Sequence, residues 1–253
     1  MAELYKTSDG KIHDNIGSAL AHQDIVNTEN ANRESQFSSS FVDHRVYHWD
    51  VIDHKYSNGD VYTGWLERFN DQGYPSGKGK MVSANGQTYE GEWAYIKSKR
   101  GSFPHGKGTY TFPSGEIIEG DYNEGDLVKG KKTYANGNVY EGDFVDWSPH
   151  GKGKMTLKNG NVYEGDYVYF KDKNTSQMHG KGKMTWANPK VCKEFEGNYV
   201  NGKKNGKGKY LLTDGRIFEG DFDGNGSATG KMTYPNGKTE QGTWDDNNDV
   251  LNL

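Results

Sequence analysis

From Tyr62 onward the chain alternates apolar and polar residues with period two, in short runs broken by glycine-rich turns. In Tyr140-Glu141-Gly142-Asp143-Phe144 the two rings and the glycine fall on one face of a strand, and the carboxylates on the other. Gly151-Lys152-Gly153-Lys154-Met155 alternates likewise, with the glycines and Met155 on one face and the lysines on the other. Pairs such as Asn85-Gly86, Asn136-Gly137, Asn159-Gly160, Asp214-Gly215 and Asn236-Gly237 are expected to supply the φ > 0 residues of tight hairpin turns. Two such runs predict a β-hairpin, with glycine opposite an aromatic leaving room for the ring to lie flat on the strand.

The unit recurs, which decides the architecture. Its first positions are Tyr62, Tyr89, Ile118, Tyr140, Tyr163, Phe195 and Phe218, with a degenerate eighth at Glu240. Where no residues are inserted the period is 22–23 residues. The large insertions, in repeats one, two and five, all fall between the second aromatic position and the first glycine. Repeat five also loses its Asn-Gly pair, carrying Asn188-Pro189-Lys190-Val191-Cys192 instead, and repeats three and seven have Val128 and Ala228 in place of the first glycine. Hairpins stacked in series predict an all-β protein, an elongated single-layer antiparallel sheet.

Tyr-Glu-Gly-Asp-Tyr/Phe followed by His-Gly-Lys-Gly and Asn-Gly is similar to the MORN (membrane occupation and recognition nexus) motif. The resemblance runs from about Tyr56 to Trp244. It implies a sheet with a shallow groove, used in that family mainly for protein–protein contact and sometimes for phospholipid association. Trp65 departs from the motif at the acid position of repeat one, and the lengthened turns depart from its spacing. The expected organisation is an N-terminal extension over residues 1–40, with a short helix at 18–26 and a linker. A cap and half repeat follow over 41–61, then the repeats over 62–244, then a short acidic tail over 245–253.

Composition sharpens this picture. Apolar residues make up 32% of the 253, below the roughly 45–50% of ordinary globular domains. Yet 17 Tyr, 10 Phe and 6 Trp are far more rings than a disordered chain carries, so aromatics must supply most of the burial. A net charge of −4 gives no pull toward nucleic acid. The one cysteine, Cys192, excludes an internal disulfide. With no apolar leader and no run long enough to span a bilayer, a cytoplasmic or membrane-peripheral location is expected.

Candidate chemistry is then weighed group by group. His105, His150 and His179 share one turn position, and neighbouring repeats lie two strands, about 10 Å, apart. Zinc ligands must converge on one ion at about 2 Å, so these histidines are expected to shape turns rather than bind metal. Asp43, His44, His48, Asp50, Asp53 and His54 have ligand chemistry but no recognised ligand spacing. On the polar face, acids such as Glu141 and Asp143 nearly balance lysines such as Lys152 and Lys154, which reads as a structural charge ladder rather than a catalytic carboxylate pair. Gly-Lys-Gly-Lys lacks the strand–loop–helix setting of a phosphate loop. No cofactor, metal site or enzymatic activity is expected.

Two surfaces remain. Tyr89, Trp93, Tyr122, Tyr140, Phe144, Tyr163, Tyr167, Phe195, Tyr199, Phe218 and Phe222 form an aromatic stripe that a single-layer sheet should leave partly exposed, hence a partner-binding face. Lys97, Lys99 and Arg100 in the long turn of repeat two, and Lys171 and Lys173 in that of repeat five, are candidate phosphate or lipid contacts. The leading expectation is a non-catalytic scaffold for a protein or peptide partner, compatible with end-to-end self-association. A peripheral phospholipid-binding module is second, and a regulatory part of an enzyme a distant third.

Overall fold

A computed structural model describes residues 4–6, 12–13, 48–69, 72–245 and 250–252, and every regular element among them is a strand. The helix expected at 18–26, the linker, Asp43 and His44 lie outside the described residues. The chain divides into two compact units, residues 1–126 and 127–253.

In the first unit β1 (Leu4–Lys6) pairs antiparallel with β2 (Ile12–His13) and β3 (His48–Lys55). From β3 the chain runs as an antiparallel meander through β4 (Val61–Phe69), β5 (Gln72–Val82), β6 (Thr88–Ile96), β7 (Gly101–Thr111) and β8 (Ile117–Asn123). The second unit repeats the meander from β9 (Asp126–Thr133) through β10 (Val139–Val145), β11 (Ser148–Thr156), β12 (Val162–Phe170), β13 (Thr175–Thr185) and β14 (Cys192–Val200). It continues through β15 (Lys203–Leu212), β16 (Ile217–Asp223), β17 (Ser227–Thr233), β18 (Thr239–Asp245) and β19 (Val250–Asn252). Within each unit this is the expected single layer of stacked hairpins.

The glycines divide their work differently from the sequence reading. In the Asn-Gly turns the glycine alone has positive φ: Gly137 at 87° donates to the Tyr134 carbonyl, while the Asn136 side chain accepts the Asn138 amide at 2.9 Å. Two successive positive-φ residues instead close short hairpins at the other end of the repeat, at Asp146-Trp147 and Asn201-Gly202. The first glycine of Gly-Lys-Gly is a bulge residue. Gly151 (φ 65°) and Gly180 (φ 64°) lie where the β10–β11 and β12–β13 registers slip. Repeat seven has Ala228 at this position, and β16–β17 pair without a slip.

The core is the aromatic stripe itself. In repeats one, two, four, five and six the first ring lies over the second glycine of the partner strand: a Cβ placed on Gly153 would stand 2.2 Å from the Tyr140 hydroxyl, and one on Gly182 2.2 Å from that of Tyr163. These hydroxyls donate to carbonyls three residues on, Tyr140 to Asp143 at 3.0 Å and Tyr163 to Asp166 at 3.1 Å, so the phenols keep a partner inside the core. Several second rings meet two first rings edge-on. Tyr167 stands at 5.2 Å from Tyr163 and 5.3 Å from Tyr140, and Tyr199 at 5.5 Å from Phe195 and 5.2 Å from Tyr163. In the first unit Trp93 bridges Tyr89 and Tyr62 in the same way. T-shaped pairs of this kind contribute about 0.5–1.5 kcal/mol beyond their buried area.

Candidate functional site

The expectation of a half-exposed aromatic stripe is corrected. Tyr89, Trp93, Tyr122, Tyr140, Phe144, Tyr163, Tyr167, Phe195, Tyr199, Phe218 and Phe222 have fractional exposures between 0% and 9%. Their area is used by the ladder, because each first ring is covered by the second ring of the following repeat. Among the described residues Trp65 is an exposed indole, at 52%, on the opposite face and in the acid position of repeat one.

That outward face carries the charge ladder, and its ion pairs run between repeats. Lys80–Glu90 (3.5 Å), Lys107–Asp121 (3.7 Å) and Lys209–Glu219 (3.9 Å) join residues directly opposite on the last strand of one repeat and the first of the next. Lys183 reaches diagonally to Glu194 at 2.7 Å. Asp143 and Asp166 also fasten the bulges, where each carboxylate accepts a backbone amide, that of Lys152 at 3.2 Å and of Lys181 at 3.0 Å. Against partial burial, the Lys152 ammonium and the Lys181 amide hold the Asp166 carboxyl below its ordinary range.

The histidines clamp repeats together. Nδ1 of His105 accepts the Glu124 amide at 3.3 Å, and Nδ1 of His150 accepts the Tyr169 amide at 3.2 Å, each from 19 residues downstream. Asp53, at φ 55° in the irregular part of β3, donates its amide to the Thr63 hydroxyl. Among the described residues no group of three acidic, histidine or cysteine side chains is arranged to hold a metal ion.

The basic turns are largely engaged within the fold. Lys99 donates to the Glu124 carbonyl at 2.7 Å, faces the Glu124 carboxylate at 3.4 Å and lies 5.3 Å above the Phe103 ring. Lys171 pairs with Asp146 at 3.1 Å, and Lys173 lies over Phe170. Lys97 and Arg100 are exposed. The two clusters belong to different units.

One concavity on the aromatic face of the second unit went unread in the sequence. A groove of about 470 Å3 is lined by Met178 and Met184 of β13, Trp186 just beyond it, Tyr199 and Phe222 from the ring ladder, Gly202 of the β14–β15 turn, Lys203 and Lys204 at the start of β15, and residues 224–227. Met178, Met184 and Trp186 are half-buried. Trp186 stacks at 6.2 Å on the buried Tyr210. The groove follows from repeat five's insertion: its long β13 brings Met178 alongside the short turn of repeat six, where the Gly202 amide donates to the Met178 carbonyl at 2.9 Å. The signal was present in the sequence, because two residues before the first glycine, where repeats one, two and four have Pro75, Pro104 and Pro149, repeats five and six have Met178 and Lys204.

Repeated hairpins that lock a ring over a glycine and stack edge to edge define a β-hairpin repeat protein of the MORN type. The MORN repeat family model matches residues 71–88, 100–117, 119–139, 140–162, 176–188 and 195–215, and the chain belongs to that family. No curated protein matches it in sequence. Among solved structures it is similar to the TCP10 domain of Danio rerio CPAP in complex with a peptide of Danio rerio STIL, at 13% identity and a TM-score of 0.35, over 82% of this chain and 93% of that one. It is also similar to the SAS-4 (dCPAP) TCP domain of Drosophila melanogaster in complex with a proline-rich motif of Ana2 (dSTIL), at 13% identity and a TM-score of 0.26, over 81% of this chain and 95% of that one. No helix among the described residues is long and apolar enough to cross a membrane.

Proposed function

We propose that the chain is a non-catalytic scaffold that binds a protein or peptide segment on the aromatic face of its second unit. The observation that carries this reading is the open groove in which Met178, Met184 and Trp186 stand half-buried above Tyr199 and Phe222. The ladder rings are the floor and the rigid frame, and the methionines and Trp186 make the contacts. Large, partly desolvated side chains of this kind anchor interfaces, and thioethers adapt to more than one apolar partner.

The test is affinity capture with the full chain, compared with a Trp186→Ala/Met184→Ala variant whose melting temperature is checked first. The variant should lose the specific partners. Recovery of the same partners would remove the groove as the site. Phospholipid contact by Lys97, Lys99, Arg100, Lys171 and Lys173 is the weaker reading, since Lys99 and Lys171 already face carboxylates.

A further inference from the structure

Two of the groove's side chains are partly exposed thioethers. The methionines among the described residues are Met81, Met155, Met178, Met184 and Met232, and of these Met178 and Met184 line the groove. Met184 stands opposite two first rings, Tyr163 and Phe195, and Met178 opposite the second ring Tyr167. Both are half-buried. Met232 fills the same repeat position as Met184, opposite Phe218, yet its exposure is 0%. Repeats one, two and four carry buried prolines, Pro75, Pro104 and Pro149, where repeat five has Met178. The second thioether is thus a departure made by the repeat that forms the groove.

A thioether is the one apolar side chain that a mild oxidant makes polar without breaking the carbon skeleton. With hydrogen peroxide the sulfur lone pair attacks one oxygen and the O–O bond breaks. The departing hydroxide takes up the remaining hydroxyl proton and leaves as water. Sulfur is oxidised by two electrons and the peroxide reduced by two. Peroxide is little larger than water, so it reaches side chains open to solvent and misses a sealed one such as Met232. The sulfoxide oxygen is a strong hydrogen-bond acceptor, and burying it beneath an apolar side chain without a donor is costly. Surface that accepts an apolar segment in the reduced state therefore rejects it in the oxidised state.

We propose that Met178 and Met184 are a reversible oxidation site: hydrogen peroxide converts them to sulfoxides and closes the groove to its apolar partner, and methionine sulfoxide reductases reopen it. The proposal rests on the scaffold reading and names the regulation of that site. Partner and oxidant compete for the same two sulfurs. A bound segment covers them and shields them, whereas oxidation of the open groove lowers its affinity for the segment.

The experiment selects short random peptides displayed on phage against the reduced full chain, counter-selected on Trp186→Ala. The chain is then treated with hydrogen peroxide, mapped by mass spectrometry, and titrated with the enriched peptides by fluorescence anisotropy. Met178 and Met184 should each gain one oxygen while Met232 stays reduced, and saturating peptide should slow the gain. Affinity should fall about tenfold and return after treatment with the two reductases that take the two sulfoxide epimers. A Met178→Leu/Met184→Leu variant, which conserves volume and so folds, should bind the peptides and ignore peroxide. Affinity unmoved when both sulfurs are oxidised, or a loss that persists in the leucine variant, would overturn the proposal and leave the scaffold reading standing. Failure to recover any peptide that depends on Trp186 would remove the groove as a site, and the proposal with it.

Discussion

At the scale of single residues, the fold depends on glycines that carry no side chain because a ring occupies that space. A Cβ on Gly182 would meet three atoms of the Tyr163 ring at 2.2–2.6 Å, and the ring is held by its hydroxyl's bond to Asp166 and by Tyr167 and Tyr199 against its edges. Gly182→Ala should therefore cost about 1–3 kcal/mol, the usual penalty of overpacking. Gly115 is the comparison: nothing lies within 4 Å of its Cβ position, so alanine there meets only the backbone penalty of φ 86°, closer to about 1 kcal/mol. Urea unfolding of the two variants checks this, and near-ultraviolet circular dichroism should change for Gly182→Ala alone. Equal costs with unchanged spectra would mean that the ring does not lie on the glycine.

At the scale of the hairpin, the period-two alternation and the glycine positions were legible because they are local: they need a strand and its immediate partner. The burial of the rings was not. A lone hairpin exposes one whole face, and what covers Tyr140 is Tyr167 of the following repeat, packed edge-on at 5.3 Å. The bulge was hidden for a similar reason, since Gly151 reads as one more alternating residue until the register slips between Gly142 and Asp143. The groove was legible in part: the exchange of proline for Met178 and Lys204 lies in the sequence, but its meaning needed the register that sets those residues against Tyr167 and Tyr199. The bulge supplies its own test. Asp166 accepts the Lys181 amide and pairs with Lys152, so Asp166→Ala should lower stability by about 1 kcal/mol at neutral pH. Because its carboxyl is held below the ordinary carboxylate range, that contribution is present above about pH 4 and fades as acid protonates the folded state. A variant whose loss persists undiminished at pH 3 would contradict the role. The engaged basic turns predict no co-sedimentation with anionic liposomes at physiological salt; binding abolished by Lys97→Ala/Arg100→Ala would instead support lipid contact.

At the scale of the whole molecule, the core is built from phenols, and this gives it an alkaline limit that an aliphatic core lacks. Burial is the first cause in every case. It pushes Tyr56 and Tyr110 up to about 12, and it pushes Tyr62, Tyr89, Tyr122, Tyr140, Tyr163 and Tyr167 further still, with nearby phenols or carboxylates adding to the shift in most. In the unfolded chain these groups ionise near pH 10. Below that value both states hold the proton and stability is insensitive to it. Above it the unfolded state has released protons that the native state keeps, so the native state loses about 1.4 kcal/mol per pH unit for each such tyrosine. Eight of them acting together can consume a margin of about 5–15 kcal/mol within roughly one to two pH units. The expected outcome is a cooperative alkaline transition beginning just above pH 10, in which tyrosinate absorbance and loss of the β-sheet circular dichroism signal rise together, because the rings ionise only when the ladder opens. Tyr140→Phe and Tyr163→Phe, which keep the ring over Gly153 and Gly182, should each move the transition to higher pH. Smooth ionisation of the full tyrosine complement around pH 10, with the sheet signal intact, would mean that the rings are open to water and that the ladder is not the core.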